Sequence, residues 1–186
     1  MRIRRSQGAD RTAPSASARC TTAEALDRFD SLPAVTIPEM RGSWRGAGYP
    51  TGHRFDGLLE RAGWHGKRFD DADDAEALVM DGRNGTYALD PRFVPMGLVL
   101  RIAPLAKNPL AARVLRGILP LLRTPRPTAR LRMTEHRGVA TATMTYDTQP
   151  IDDHFRRIDD DTLLGVMDMR GMTQPFFFVL RRSNPG

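Results

Sequence analysis

Apolar and polar positions alternate with two different periods along this chain, and the period changes repeatedly. "TTAEALDRFDSL" repeats at helical spacing, with Leu26 and Phe29 on one face and Thr21 and Glu24 placed for a capping box. "LPAVTIPEM" follows, where two prolines predict an extended course. "GSWRGAG" reads as a short strand between flexible glycines. "HRFDGLLERAG" returns to helical spacing through Phe55, Leu58, Leu59 and Ala62, and Gly63 is placed to stop it. "WHGKRF" reads as a strand, "DDADDAE" as an acidic turn, and "ALVMDGRNGTYALD" as a hairpin about Asn84-Gly85. In the middle, Asn108-Pro109 signals a helix start. Leu110, Val114, Leu115 and Ile118 fall on one side, Arg113 and Arg116 toward the other, and Pro120 ends the run. The last third has period two. "ARLRMTEH" and "GVATATMTYD" predict a hairpin about Arg137-Gly138; "DHFRRI", "LLGVMDMR" and "PFFFVLRR" predict three more strands. Ala140, Ala142, Met144 and Tyr146 share a side, as do Leu164, Val166 and Asp168, and again Phe176, Phe178 and Leu180.

These elements predict a β-rich α+β protein: an antiparallel, barrel-like sheet with a basic helical insertion over one end. The expected divisions are a disordered basic tail over 1–20, a first module over 21–90, the insertion over 91–128, and a C-terminal β module over 129–186 that completes the same sheet.

Charge sharpens this division. The net charge is +6, but it is unevenly spread. Residues 91–134 carry nine Lys or Arg and no acid, whereas residues 20–90 carry eight and thirteen acids. One basic element on a mildly acidic body does not favour nucleic acid as the partner. An anionic membrane surface met by residues 97–123 fits the amphipathic middle better. Cys20 is the single cysteine, so an intramolecular disulfide and a thiolate zinc site are excluded. The N-terminus has no apolar h-region, and no run of 18 apolar residues occurs. A cytoplasmic location is the expectation.

Candidate chemistry lies in three places. In "RGSWRGAGYPTGHRFDGLLERAGWHGKRFDD", Trp44 and Trp64 suit either barrel closure or a pocket wall. His53 and Asp56 are spaced to form a carboxylate-oriented imidazole, or Asp56 serves the adjacent helix start. Lys67 is one of two lysines in an Arg-rich chain, and lysine, unlike arginine, loses its proton when desolvated. Asp168 alternates with Val166 and Leu164, so it is expected on an apolar face. There it is either a raised-pKa acid or the partner of Arg156, Arg157 or Arg181. "YDTQPIDDHFRRIDDD" crowds Asp147, Asp152, Asp153 and His154 together, but without the spacing of an EF-hand or HExxH, so no metal site is assigned.

"GSWRG" at Gly42–Gly46, followed by "PTGHRFDGLL" and "GWHGKRFDD", resembles the GXWXG-domain family of bacterial and fungal proteins. "RGVATATMTYDTQPIDDHFRRIDDDTLLGVMDMRG" through "FFFVLRR" resembles the uncharacterised C-terminal domain that accompanies it. The resemblance places family motifs on Gly42, Trp44, Gly46, His53, Asp56, Trp64, Lys67, Asp147, Pro150, Asp153, Phe155, Gly165 and Asp168. The GXWXG start is also similar to the first strand of lipocalin-like and nitrobindin-like barrels, which implies a ligand cavity.

The function expected from these residues is binding of a hydrophobic small molecule in a barrel cavity. Cofactor-free acid–base conversion of the isomerase or cyclase kind would need only a few polar groups there. Asp168, Asp153 and His53 are the expected catalytic groups. Trp44, Asp56, Trp64, Lys67, Tyr146, Asp147, Phe155 and Phe178 are the expected ligand contacts. Haem, held through a histidine, is the alternative that the nitrobindin likeness implies; a membrane-docking role is another.

Overall fold

The computed structural model describes residues 20–94 and 108–183. Nine strands form one antiparallel sheet. They are β1 (Gly42–Gly48), β2 (Trp64–Phe69), β3 (Ala75–Gly82), β4 (Gly85–Ala88), β5 (Ala129–His136), β6 (Val139–Tyr146), β7 (Ile151–Asp159), β8 (Thr162–Met169) and β9 (Phe176–Arg182). Their order is β2-β1-β9-β8-β7-β6-β5-β3-β4, and β2 also pairs with β3. Eight strands therefore close into a barrel, with β4 hanging from the outer part of β3. The seam between β3 and β5 is a single pairing, Ala75 with Ala129. The first and last thirds of the chain thus build one sheet, joined where β1 pairs with β9.

Among the described residues, four short helices dress the barrel: α1 (Thr22–Ser31), α2 (Ile37–Met40), α3 (Leu58–Ala62) and α4 (Pro109–Ile118). α1 starts at the expected capping box, in which the Thr21 amide donates to Glu24 and the Glu24 amide to Thr21 Oγ1. Its Ala25, Phe29 and Leu32 cover Leu164, Val166 and Phe177 on the outside of the sheet. Arg137 fastens the same helix to the β5–β6 turn through a two-pronged contact with Asp30. Arg137 and Gly138 both have positive φ, at 52° and 77°, as a tight two-residue hairpin requires. Residues 37–40 differ from the extended course expected of them. Thr36 and Glu39 form a second capping box, and a proline in the first turn of a helix forfeits no hydrogen bond. α4 starts as expected, with the Leu110 amide donating to Asn108 Oδ1.

Two glycines in the tryptophan-rich stretch set the geometry of the closing corner. Gly46 lies under the Trp64 ring, which occupies the space a Cβ would need. Gly66, at φ 152°, lies against the backbone of Trp44 and Gly46, so no larger residue fits there. Gly66 also sits in a β-bulge: Trp64 pairs with Met80 and Gly66 with the adjacent Val79. The extra residue shifts the phase of the strand. Trp64, Lys67 and Phe69 all become buried, although strict alternation would place Trp64 and Lys67 on opposite faces.

Gly46→Ala is expected to lower stability by about 1–3 kcal/mol, as overpacking in a dense core does. Gly66→Ala should cost more, because the obstruction is backbone and cannot rotate away. Denaturant midpoints rank the two; equal, negligible losses would show that the corner relaxes freely.

Candidate functional site

Inside the barrel lies a cavity of about 170 Å³. Trp64, Lys67, Leu78, Met80, Tyr146, Asp153, Met167 and Phe178 line it from the strands. Phe55, Leu58, Leu59 and Ala62 border it at and before α3, and Leu115 and Leu119 from α4 and the turn after it. Arg116 locks the two helices together, donating to the carbonyls of Glu60 and Arg61 at the end of α3. The wall is almost wholly carbon. Its polar exceptions meet at one spot.

Lys67 Nζ lies 2.8 Å from Asp153 Oδ2, and the two side chains are 3% and 1% exposed. Nζ also donates to Ala77 O at 3.0 Å and to the Tyr146 hydroxyl at 3.4 Å. The faces of Trp64, Tyr146 and Phe178 surround the nitrogen, with ring centres 5.2–5.9 Å away. β2 supplies Lys67 through its bulge. β7 supplies Asp153 by alternation, with Ile151 and Phe155 buried on either side. Asp152 points the other way and accepts from Thr145.

Burial governs the protonation of this group. It lowers the pKa of Lys67 against the opposing pull of Asp153, and raises that of Asp153 against the opposing pull of Lys67. The Tyr146 phenol is pushed well above its ordinary value, first by burial and then by the Asp153 charge, so it keeps its proton. Among the described residues, Asp153 takes its hydrogen bonds from Lys67 and Tyr146 alone, and the buried Trp64 Nε1 has no acceptor. Under-satisfied polar atoms on a cavity wall are unusual in a finished core and suit a site completed by a ligand. Proton transfer across the cavity needs no further component.

The other expected residues fall elsewhere. Asp168 does share a face with Val166 and Leu164, but that face is the outside of the barrel. α1 covers the first two and stops short of Asp168, which is exposed. Arg156 turns instead to the Phe29 ring, 5.2 Å away. Trp44 is buried, but its N–H donates to Met40 O and Arg182 covers its ring, away from the cavity wall. Phe155 is core, edge-on to Phe69 and Phe178. Asp147 pairs with Arg130 on the surface. Asp56 accepts from the amides of Thr51 and Gly52, closing a loop rather than starting a helix. His53 sits behind the wall, its Nδ1 accepting from the Phe55 amide and its ring against Phe55 and Phe176. Of the expected contacts, Trp64, Lys67, Tyr146 and Phe178 meet at the cavity, and of the expected catalytic groups Asp153 joins them.

Asp168 joins His136 and His154 in a cluster whose candidate ligand atoms lie within 4.8 Å of one another. The imidazoles stack at 3.8 Å and 13°, so their nitrogen lone pairs run side by side rather than converging on one ion. His154 Nδ1 is engaged by Thr143 at 2.9 Å, and burial with the nearby His136 lowers its pKa to about 4. This is a neutral, stacked pair under the edge of α1. No histidine lines the cavity among the described residues, so a histidine-ligated haem would find no axial ligand there.

Residues 27–85 match the GXWXG protein family, and residues 127–182 match a domain of unknown function, DUF4334. A crystal structure of a protein from Thermomonospora curvata is 30% identical, with a TM-score of 0.66, over 89% of this chain and 90% of that one. The chain belongs to the GXWXG family. No curated protein matches it. Both halves of the cavity's polar group lie inside the two matched segments: Lys67 in the GXWXG part, Tyr146 and Asp153 in the DUF4334 part. No helix among the described residues is long and apolar enough to cross a membrane.

A buried ion pair is usually a net cost relative to apolar residues of similar volume, whereas half of one is worse. Asp153→Val is therefore expected to destabilise by about 3–5 kcal/mol, while Lys67→Met with Asp153→Val should recover most of the loss. Chemical denaturation of the single and double variants checks this. Losses that simply add would show that the two side chains are not energetically coupled.

Proposed function

We propose that the GXWXG barrel binds a small hydrophobic molecule that carries one polar group, with Lys67, Asp153 and Tyr146 as the polar contacts. The observation behind this reading is the concentration of all the cavity's charge at one spot of a carbon-lined space. Pockets for small molecules have this composition: apolar walls for affinity and a few polar groups for orientation. The volume sets the ligand's scale, since an apolar cavity of about 150 Å³ accommodates benzene. Asp153 and Lys67 exchange a proton at short range, so isomerisation or cyclisation of the bound molecule is the class of chemistry they support.

Tyr146→Phe separates binding from folding, because it removes only the hydroxyl. Titration calorimetry should show affinity for small phenols and alcohols falling by about 2–10-fold, the worth of one hydrogen bond. Affinity for toluene should be unchanged. If no compound of this size raises the melting temperature of the wild-type protein, the reading fails, because any ligand of the native state must do so.

One observation supports a second role for the same end of the barrel. Leu110, Val114, Ile118 and Leu121 are all at least half exposed, with Leu121 at 80%. They form a row on α4 and the turn after it, on the side away from Ala112, Leu115 and Leu119. The surrounding segment 91–134 carries nine basic residues and no acid. An anionic bilayer complements both features; residues 97–107 of the expected docking segment lie outside the described residues. Flotation with anionic vesicles should retain the protein at low salt. Leu110→Ser with Leu121→Ser should release it, and binding that survives both changes would exclude this surface.

A further inference from the structure

We propose that Lys67 is a nucleophile, and that the cavity takes a small apolar aldehyde or ketone which Lys67 holds as an imine. This rests on the cavity-binding reading above and names the substrate class.

The choice of lysine carries the argument. The chain has 26 arginines and two lysines, Lys67 and Lys107. Where the fold needs a permanent buried cation it uses arginine: Arg156 is 1% exposed, with its guanidinium over Phe29. Arginine also makes the better static ion pair, being planar, forked and always charged. Among the described residues, the cation that faces the barrel cavity is the residue that can become a neutral amine. Lysine in a hydrophobic pocket is a recognised way of producing an amine that attacks carbonyls. Burial favours the neutral forms of both Lys67 and Asp153. The 2.8 Å separation lets the carboxylate take the ammonium proton directly.

The neighbouring groups match the remaining steps. The Nζ lone pair attacks the carbonyl carbon, and the carbonyl π pair moves to oxygen. The Tyr146 hydroxyl, 3.4 Å from Nζ and held protonated, donates a hydrogen bond to that oxygen. One proton passes from the attacking nitrogen to the alkoxide oxygen, and Asp153 gives its proton to the resulting hydroxyl, which leaves as water while the nitrogen lone pair forms the C=N bond. The balance is one carbonyl compound, one neutral amine and the Asp153 proton giving one protonated imine, one water and the Asp153 carboxylate, with no oxidant or reductant. Asp153, now a carboxylate, faces the protonated imine nitrogen, and the ring faces of Trp64, Tyr146 and Phe178 stabilise its charge. The carbon walls admit only an apolar remainder, of about the size of benzaldehyde or hexanal.

The test uses the full-length wild-type protein, because the amine inventory supplies its own controls. The protein is incubated with benzaldehyde or hexanal and sodium cyanoborohydride, and the reduced adducts are located by peptide mass mapping. Lys67 should be modified at least about tenfold faster than Lys107, because the cavity holds the carbonyl compound against its nitrogen. Excess toluene should protect Lys67 and leave Lys107 and the N-terminal amine unaffected. Lys67→Arg, which keeps the positive charge, should lose the protected adduct while remaining folded by circular dichroism. Benzaldehyde that raises the melting temperature yet modifies only Lys107 and the N-terminus would overturn the imine and leave the binding reading standing. Neither thermal shift nor Lys67 adduct would overturn both.

Discussion

The bulge at Gly66 decides which way β2 faces, and the interior chemistry depends on it. Without the extra residue, a strand that buries Trp64 would carry Lys67 to the outside, where a lysine is an ordinary solvated cation. With it, Trp64 and Lys67 both face inward. The bulge is possible only because Gly66 has no Cβ to meet the Trp44 carbonyl. Gly46 then lets the Trp64 ring lie flat against β1. The glycines and tryptophans of the GXWXG stretch are thus neither a reactive centre nor mere filling. They are the steric condition for turning one cation into a hydrocarbon interior.

Turning it inward creates a demand that the second half of the chain meets. A lysine at 3% exposure must find a counter-charge or lose its proton. Asp153 arrives on β7, across the interior and 86 positions later, and Tyr146 arrives on β6. Neither half of the sequence contains a complete polar group. This accounts for the two matched segments forming one closed sheet rather than two independent units, with β1–β9 and β3–β5 as the joints. The helices complete the enclosure. Arg116 of α4 grips the end of α3, so the apolar side chains of both are held over the cavity as a unit.

What the sequence made legible follows from the range of the interactions concerned. The capping box at Thr21, the Asn108-Pro109 start and the hairpin at Arg137-Gly138 are decided within a few residues, and each is where the pattern puts it. Alternation in β8 correctly groups Leu164, Val166 and Asp168. It does not say which face is the interior, because α1 makes the outer face apolar as well. Asp168 was therefore expected inside and stands outside, beside a stacked histidine pair. Lys67 presents the opposite case. Its neighbours describe a strand end, and only the bulge, visible through its pairing with β3, shows that it is buried. Asp152 and Asp153 are indistinguishable as composition; register with Thr145 and Met144 separates them.

The energetic character of the pair bears on why it exists. A Lys–Asp pair whose polar neighbours are the Ala77 carbonyl and the Tyr146 hydroxyl is poorly solvated by its own protein. Three aromatic faces soften the charge, and of these only Tyr146 offers Asp153 a hydrogen bond. A core selected for stability alone would have replaced the pair with methionine and valine at no loss of volume. A fold that keeps a lysine there, while using arginine for nearly every other positive charge, keeps a proton that can leave. That distinction is chemical rather than structural, and a carbonyl carbon is the partner that a neutral amine in a carbon-walled cavity is equipped to meet.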